Sequence, residues 1–102
     1  MKVYRVEIGK SVLADVDELK SFLRSVMSRE GAHRYIDEMY GEMMSLSVCA
    51  DCFPLSRSAT IRTVHPQARR MVSHNHKFVY VFHIEDDVVV IDRILKSKMI
   101  TQ

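Results

Sequence analysis

The C-terminal half of the chain contains three apolar segments joined by very short connections, and this spacing restricts the fold more than any other feature. The segments are Ala68–Ser73, Phe78–Ile84 and Val88–Leu95. The turns Ser73–His76 and Glu85–Asp87 separate them, and both are of hairpin length. Because parallel strands need a long crossover connection, these segments are predicted to form an antiparallel meander.

A strand and a helix are predicted near the N-terminus. The alternation of apolar and polar residues over Val3–Ile8 is typical of a strand. Asp15 and Glu18 have the spacing of a capping box, which predicts a helix from about Asp15 to Ser28. Its apolar residues recur at helical spacing and are expected to face the core: Val16, Leu19, Phe22, Leu23, Val26 and Met27.

A second helix follows, and its apolar stripe is more regular. The stripe consists of Ala32, Tyr35, Ile36, Met39, Tyr40, Met43 and Leu46. Gly31 is predicted to separate the two helices, and a linker this short makes them an antiparallel hairpin. The methionines of the stripe are interpreted as core residues that pack against a sheet.

The segment between the hairpin and the meander, Cys49–Gln67, shows no period and is predicted to be a loop with at most a short strand at Ile61–Val64. A loop this long in a small domain is usually functional or mobile. Cys49 and Cys52 match one half of a metal or redox motif, but the sequence has no second half. They are interpreted as ordinary thiols, and neither a metal site nor a cofactor is predicted.

Together these patterns predict one α+β domain over residues 1–102, with the element order β-α-α-β-β-β. Both helices are expected on one face of a mainly antiparallel sheet. At 47% hydrophobic residues, the chain has enough apolar material for a core. The predicted core contacts join Tyr35, Ile36, Met39, Met43 and Leu46 of the second helix to Val79, Val81, Val89 and Ile91 of the sheet.

Charge is distributed unequally along the chain. Residues 1–56 carry a formal charge of −2 and residues 57–102 carry +4. The β-rich half therefore presents positive charge, which suits a polyanion or an acidic protein segment. No segment is apolar and long enough to cross a membrane, and no signal-peptide core precedes the first strand. A location in the bacterial cytoplasm, without a membrane partner, is therefore expected.

Four local features add to this order of elements. Phe53–Pro54 lies in the loop after the helical hairpin, and Arg70 precedes Met71–Val72 in the first strand of the meander. The next strand, Phe78–Ile84, is aromatic and apolar, and Val90–Lys96 follows the pattern v-I-x-R-I-L-H except at its last position. With these features the chain resembles, over nearly its whole length, the RelE/ParE superfamily of bacterial toxins.

The resemblance implies the toxin half of a type II toxin–antitoxin pair, also called a plasmid stabilisation protein. Such toxins inhibit growth unless their antitoxin binds them, so a cognate antitoxin is the implied partner. RelE-like members cleave messenger RNA on the ribosome, whereas ParE-like members poison DNA gyrase and are not nucleases. A third alternative is a degenerate member that binds an antitoxin without being toxic.

The candidate site residues lie on the basic meander and its tail. If the protein is a nuclease, the catalytic candidates are Arg70, His83 and Arg93, because phosphate cleavage needs cations and a proton carrier. His74 and His76, in the first turn, also titrate near neutral pH but are expected to be exposed. The predicted target-binding residues are Arg69, Arg70, Lys96 and Lys98.

Departures from the family pattern favour the ParE-like activity. Lys96 occupies a position that is often histidine in relatives, and Phe82 lacks the hydroxyl group of the aromatic residue expected there. The tail contains neither a His-Tyr nor an Arg-x-x-Tyr pair. The residues that would identify a nuclease are therefore missing from their expected positions.

Overall fold

The computed structural model describes residues 2–100 and begins with a strand followed by a helical hairpin. Strand β1 spans Arg5–Ile8, helix α1 spans Lys10–Val26 and helix α2 spans Arg29–Met44. The two helices contact each other, and α1 also contacts Val88–Lys96, which is the last strand in chain order. Within the described residues, no helix has the length and hydropathy of a membrane span.

Residues 45–68, which link the helical hairpin to the meander and are called the connecting region below, are partly helical. Helix α3 spans Leu46–Cys49, a 3-10 turn covers Ala50–Cys52 and helix α4 spans Ala59–Arg62. The predicted short strand at Ile61–Val64 is therefore wrong. The hydroxyl oxygen of Ser58 accepts a hydrogen bond from the backbone N–H of Ile61 at 3.4 Å, which caps the first turn of α4 and selects a helix there.

The predicted meander is confirmed. Strands β2 (Arg69–Val72), β3 (Phe78–Glu85) and β4 (Val88–Lys96) pair as antiparallel neighbours. The sheet order is β1-β4-β3-β2, and β1 pairs with β4 in parallel. A mainly antiparallel sheet with a helical hairpin packed on one face is the predicted α+β class, so the fold class is confirmed. A second 3-10 turn, Ser97–Met99, follows β4.

Helix α1 begins at Lys10 and not at the predicted Asp15. Gly9 is the N-terminal cap residue, and its N–H donates to the carbonyl of Ile91 in β4 at 2.9 Å. A Cβ atom at Gly9 would lie 2.6 Å from that same oxygen, so only glycine allows so close an approach. The helix therefore starts directly after β1, and the capping-box interpretation of Asp15 is wrong.

Only part of the predicted apolar stripe of α1 is buried. Val12, Val16, Leu19 and Leu23 face the core, as expected for a stripe at helical spacing. Phe22, Val26 and Met27, also predicted to be buried, are 61%, 59% and 36% exposed. The end of α1 therefore carries apolar side chains on the surface, where the sequence pattern had placed core residues.

Helix α2 follows its predicted stripe, but the break before it lies earlier than predicted. Ser28 is the N-terminal cap residue, and its hydroxyl oxygen accepts a hydrogen bond from the N–H of Gly31 at 3.0 Å. Gly31 thus lies inside the first turn and does not separate the helices. The buried residues of the predicted stripe are Ala32, Ile36, Met39, Met43 and Leu46; Tyr35 and Tyr40 are partly buried against the same cluster.

Strand β3 is buried on both faces of the sheet. Tyr80 and Phe82 join Val89 and Ile91 in the cluster that includes the helices. The predicted contact of Val79 and Val81 with the helices is wrong, because these residues pack with Ile61 and Ala68 in a second cluster on the opposite face. The continuous apolar run of β3 has no alternation that could assign its faces. The connecting region therefore covers the second face of the sheet.

Candidate functional site

A buried histidine and a partly buried aspartate form a pair on the second face of the sheet. The register between β3 and β4 shifts between the pairs Val81–Arg93 and Phe82–Ile91, so Asp92 has no directly opposite residue. This β-bulge allows the carboxylate of Asp92 to reach His83, whose Nδ1 lies 2.6 Å from Oδ2 of Asp92. His83 is only 7% exposed. The carboxylate fixes the imidazole orientation and favours a proton on Nδ1.

The ring of His65 covers this pair. His65 belongs to the connecting region, between α4 and β2, and stacks on His83 with 3.8 Å between ring centroids and 2° between ring planes. Nδ1 of His65 accepts a hydrogen bond from the backbone N–H of Gln67 at 3.0 Å. On the other side, Nε2 of His83 lies 4.0 Å from the carboxylate of Glu85, which is largely exposed. The arrangement has the parts of a proton-transfer site, but His65 shields it from solvent.

Arg70 and Arg69 point to opposite faces of the sheet. Arg70 pairs with Val81, so it shares the face of His83, two residues further along β3. Within residues 2–100 the partly exposed Arg70 forms no ion pair. Arg69 pairs with Phe82 on the helical face. Its guanidinium donates to the backbone carbonyl of Phe53, which attaches the loop to the sheet.

Arg93 is held by a carboxylate of the helical hairpin. Its Nε and Nη2 atoms donate to the two carboxylate oxygens of Asp15 in α1, at 2.9 and 3.1 Å. The N–H of Ile94 donates to the same carboxylate at 2.9 Å. The hydrogen bonds from its guanidinium to Asp15 raise the pKa of Arg93. Arg93 therefore links α1 to β4, and its charge is already neutralised.

The remaining candidates lie at the surface. Lys96, at the end of β4, and Lys98, in the 3-10 turn after it, are exposed. His74 and His76 are exposed in the turn between β2 and β3, as predicted. The structure thus brings Arg70 and His83 to one face, commits Arg93 and Arg69 to structural contacts, and leaves the two lysines at one end of the sheet.

A polar network attaches the first turn of the meander to α2. The buried hydroxyl of Tyr80 donates to Oε2 of Glu42, and Oε1 of Glu42 accepts from the N–H of His74 at 2.8 Å. Nearby, the side-chain amide of Asn75 donates to the hydroxyl of Tyr35 at 2.7 Å. Burial, and then the hydrogen bond to Glu42, raise the pKa of Tyr80. Tyr80 therefore remains a hydrogen-bond donor, and this network stabilises the fold.

Two residues of the His83 site, Asp92 and His65, were missed by sequence reasoning. A signal exists for Asp92, because it interrupts the apolar run of β4 with a charged residue. No local pattern distinguishes His65, which lies in a segment without period. The cysteines show no comparable cluster: both are free thiols, and the Sγ atom of Cys49 donates to the carbonyl of Ser45. In the described part of the chain, no three His, Cys, Asp or Glu residues are arranged to hold a metal ion.

Comparisons with known proteins agree with the architecture. Neither a protein-family model nor a curated protein matches the chain in sequence. Several solved chains match it in structure. One comes from the chromosomal ParDE TA system of P. aeruginosa, with a TM-score of 0.77 and 16% sequence identity. The match covers 92% of this chain and 96% of that chain. The chain therefore has a RelE/ParE-like fold, which confirms the resemblance at the level of the fold.

Proposed function

We propose that this protein is the toxin of a type II toxin–antitoxin system and that it acts in the ParE manner, by binding DNA gyrase and not by cutting RNA. The likeness to a ParDE chain over nearly the full length of both chains supports the toxin class. In this proposal the protein acts in the bacterial cytoplasm, inhibits growth, and is held inactive by its antitoxin.

The observation that carries the choice of activity is the dispersal of the nuclease candidates. Arg93 is bound at 2.9 Å by Asp15 on the helical side, and His83 lies beneath the ring of His65. Stabilising a phosphorane-like state requires cations and a proton carrier that converge on one phosphate. Of the three candidates, only Arg70 has its charge unpaired by the residues described and lies on the face of His83.

The alternative, a ribosome-dependent endoribonuclease, is favoured by one specific observation. The carboxylate of Asp92 lies 2.6 Å from Nδ1 of His83, which is the geometry of an oriented general base. Arg70 on the same face supplies one cation. If His65 moves away from His83, these residues become accessible together, so the alternative needs a direct test.

The test is induced expression in a bacterial host, with DNA damage and messenger RNA cleavage measured in the same cells. We expect growth arrest with induction of the DNA-damage response and intact messenger RNA. The arrest should persist in Arg93→Ala and His83→Ala, provided that circular dichroism shows both variants folded. Cleavage of ribosome-bound messenger RNA that is lost in His83→Ala would select the nuclease. Absence of any arrest would select the degenerate member.

The proposed antitoxin is testable independently of the target. The acidic, amphipathic segment expected of an antitoxin would meet the positive charge of residues 57–102 and the exposed apolar residues Phe22 and Val26 at the end of α1. We expect the product of an adjacent small reading frame to copurify with this protein and to suppress the arrest. If a soluble neighbour product fails to copurify even at low salt, the proposed partner is wrong.

A further inference from the structure

We propose that His65 is a pH-sensitive latch that holds the connecting region closed over the His83–Asp92 pair. When the latch is protonated, the segment from α4 to Gln67 separates from the second face of the sheet, which exposes His83, Asp92 and Arg70 together. This proposal concerns the conformation of the chain. It does not depend on whether the protein acts on gyrase, on messenger RNA or on neither.

The first argument is the hydrogen bond at Nδ1 of His65. This nitrogen accepts from the backbone N–H of Gln67 at 3.0 Å, which requires that Nδ1 carries no proton. A histidine cation has a proton on both ring nitrogens, so protonation converts this acceptor into a donor that faces another donor. The observed turn at His65–Gln67 is therefore compatible only with neutral His65.

The second argument is the ring stack. The imidazoles of His65 and His83 lie face to face, with their centroids 3.8 Å apart. The carboxylate of Asp92, 2.6 Å from Nδ1 of His83, can offset one positive charge on the pair. A second proton, on His65, would place two cations in contact, and like charges at this distance repel. The stacked arrangement is therefore stable only while no more than one of the two imidazoles is positively charged.

The other charged groups around the pair do not remove this repulsion. Glu85, on β3, lies 4.0 Å from Nε2 of His83, but its side chain is 75% exposed, so water weakens its effect. Arg70, on β2, lies on the same face and adds positive charge. Arg62, three residues before His65, is an exposed cation. The carboxylate of Asp92 is thus the only close negative partner of the pair among the described residues.

The segment from α4 to Gln67 is attached to the sheet weakly enough to separate from it when His65 is protonated. Its apolar contact with the sheet is a small cluster of four buried residues, Ile61, Ala68, Val79 and Val81, with the partly buried Val64, Leu95 and Ile100 packed against them. The cluster on the helical face is several times larger. The latch is therefore expected to open while the helical side of the domain remains folded. Acidification that protonates His65 should release it.

Amide hydrogen exchange at pH 7.5 and pH 5.5, corrected for the intrinsic exchange rates, tests the latch. We expect protection over residues 59–68 to fall severalfold at the lower pH, and by no more than about tenfold per unit of pH, because opening is coupled to the uptake of a single proton. Protection of β3 and β4 should stay unchanged. In His65→Phe, which keeps a stacking ring without a titrating group, residues 59–68 should lose this pH dependence. His33→Phe, at an exposed histidine of α2, is the matched control and should behave like the parent.

Three outcomes would overturn the latch. One is equal protection of residues 59–68 at both pH values, and another is a pH dependence that persists in His65→Phe. The third is a parallel loss of protection across β3 and β4, because that would show global acid unfolding. If His65→Phe does not fold, histidine ring resonances of the parent decide the matter. The resonances of His65 must then titrate together with the backbone resonances of residues 59–68, and independent titration refutes the latch.

Discussion

At the scale of single residues, the role of a charged side chain depends more on the group that it contacts than on its residue type. Arg69, Arg70 and Arg93 look equivalent in the sequence, as cations on predicted strands. In the structure, Arg93 is bound by Asp15, Arg69 by the carbonyl of Phe53, and Arg70 shares a face with His83. The sequence could not reveal these contacts, because residues such as Asp15 and Arg93 are 78 positions apart in the chain.

The carboxylate of Asp15 is expected to contribute measurably to stability. It accepts hydrogen bonds from Arg93 and from the N–H of Ile94, and its side chain is only 14% exposed. Asp15→Ala should reduce the free energy of unfolding by about 1–3 kcal/mol, because hydrogen bonds to a charged group are lost. Urea denaturation measures this loss. Asp17→Ala, at an exposed carboxylate of the same helix, is the control and should change stability by less than about 0.5 kcal/mol. Equal stability of the two variants would refute the structural role assigned to the Asp15–Arg93 pair.

At the scale of elements, the existence and type of the main helices and strands could be predicted, whereas their ends and buried faces could not. Helix α1 begins at Lys10, five residues earlier than predicted. This start is possible because Gly9, which has no Cβ atom, packs closely against β4 directly after β1. Strand β3 is apolar throughout, so its pattern could not show that Val79 and Val81 face away from the helices. Both errors come from tertiary contacts that no local period encodes.

The junction between β1 and α1 gives a prediction with a matched control. Gly9→Ala would place a Cβ atom 2.6 Å from the carbonyl oxygen of Ile91, so the junction must shift and stability must fall. At Gly41, in the last turn of α2, an added Cβ has no atom within 4 Å beyond its chain neighbours and the adjacent helix backbone. Gly41→Ala should therefore stabilise the protein by up to about 1 kcal/mol, from the higher helix propensity of alanine.

Thermal unfolding of the two glycine variants provides the measurement. We expect a lower midpoint for Gly9→Ala than for the parent and a midpoint for Gly41→Ala at or above that of the parent. A Gly9→Ala variant as stable as the parent would mean that β1 and β4 do not approach as closely as described.

At the scale of the whole molecule, the fold could be predicted mainly from the order of the helices and strands. Hairpin-length turns Ser73–His76 and Glu85–Asp87 allowed only an antiparallel meander, and the preceding helical hairpin had one economical place to pack. The contacts around His83 could not be predicted in the same way. His83 and Arg70 were selected from their position on basic strands, but Asp92 reaches His83 only through a β-bulge, and His65 arrives from an aperiodic segment. Contacts of this kind depend on the folded chain.

The proposed activity is a property of the whole molecule, since it requires a surface that binds a large partner. If the protein acts in the ParE manner, its growth inhibition depends on binding and not on the His83–Asp92 pair. The variants His83→Ala and Arg93→Ala should then retain activity wherever they remain folded. A nuclease would instead lose about a hundred-fold or more of its rate when a well-placed donor or proton carrier is removed.

The proposed gyrase-directed activity can be tested by adding the purified protein to DNA gyrase in a supercoiling assay, with ribosome-bound messenger RNA incubated in parallel. We expect the protein to inhibit supercoiling or trap cleaved DNA at stoichiometric concentrations, and to leave the messenger RNA intact. The folded His83→Ala variant should inhibit gyrase equally well. If gyrase is unaffected and messenger RNA is cleaved in a reaction that His83→Ala abolishes, the gyrase-directed activity is contradicted.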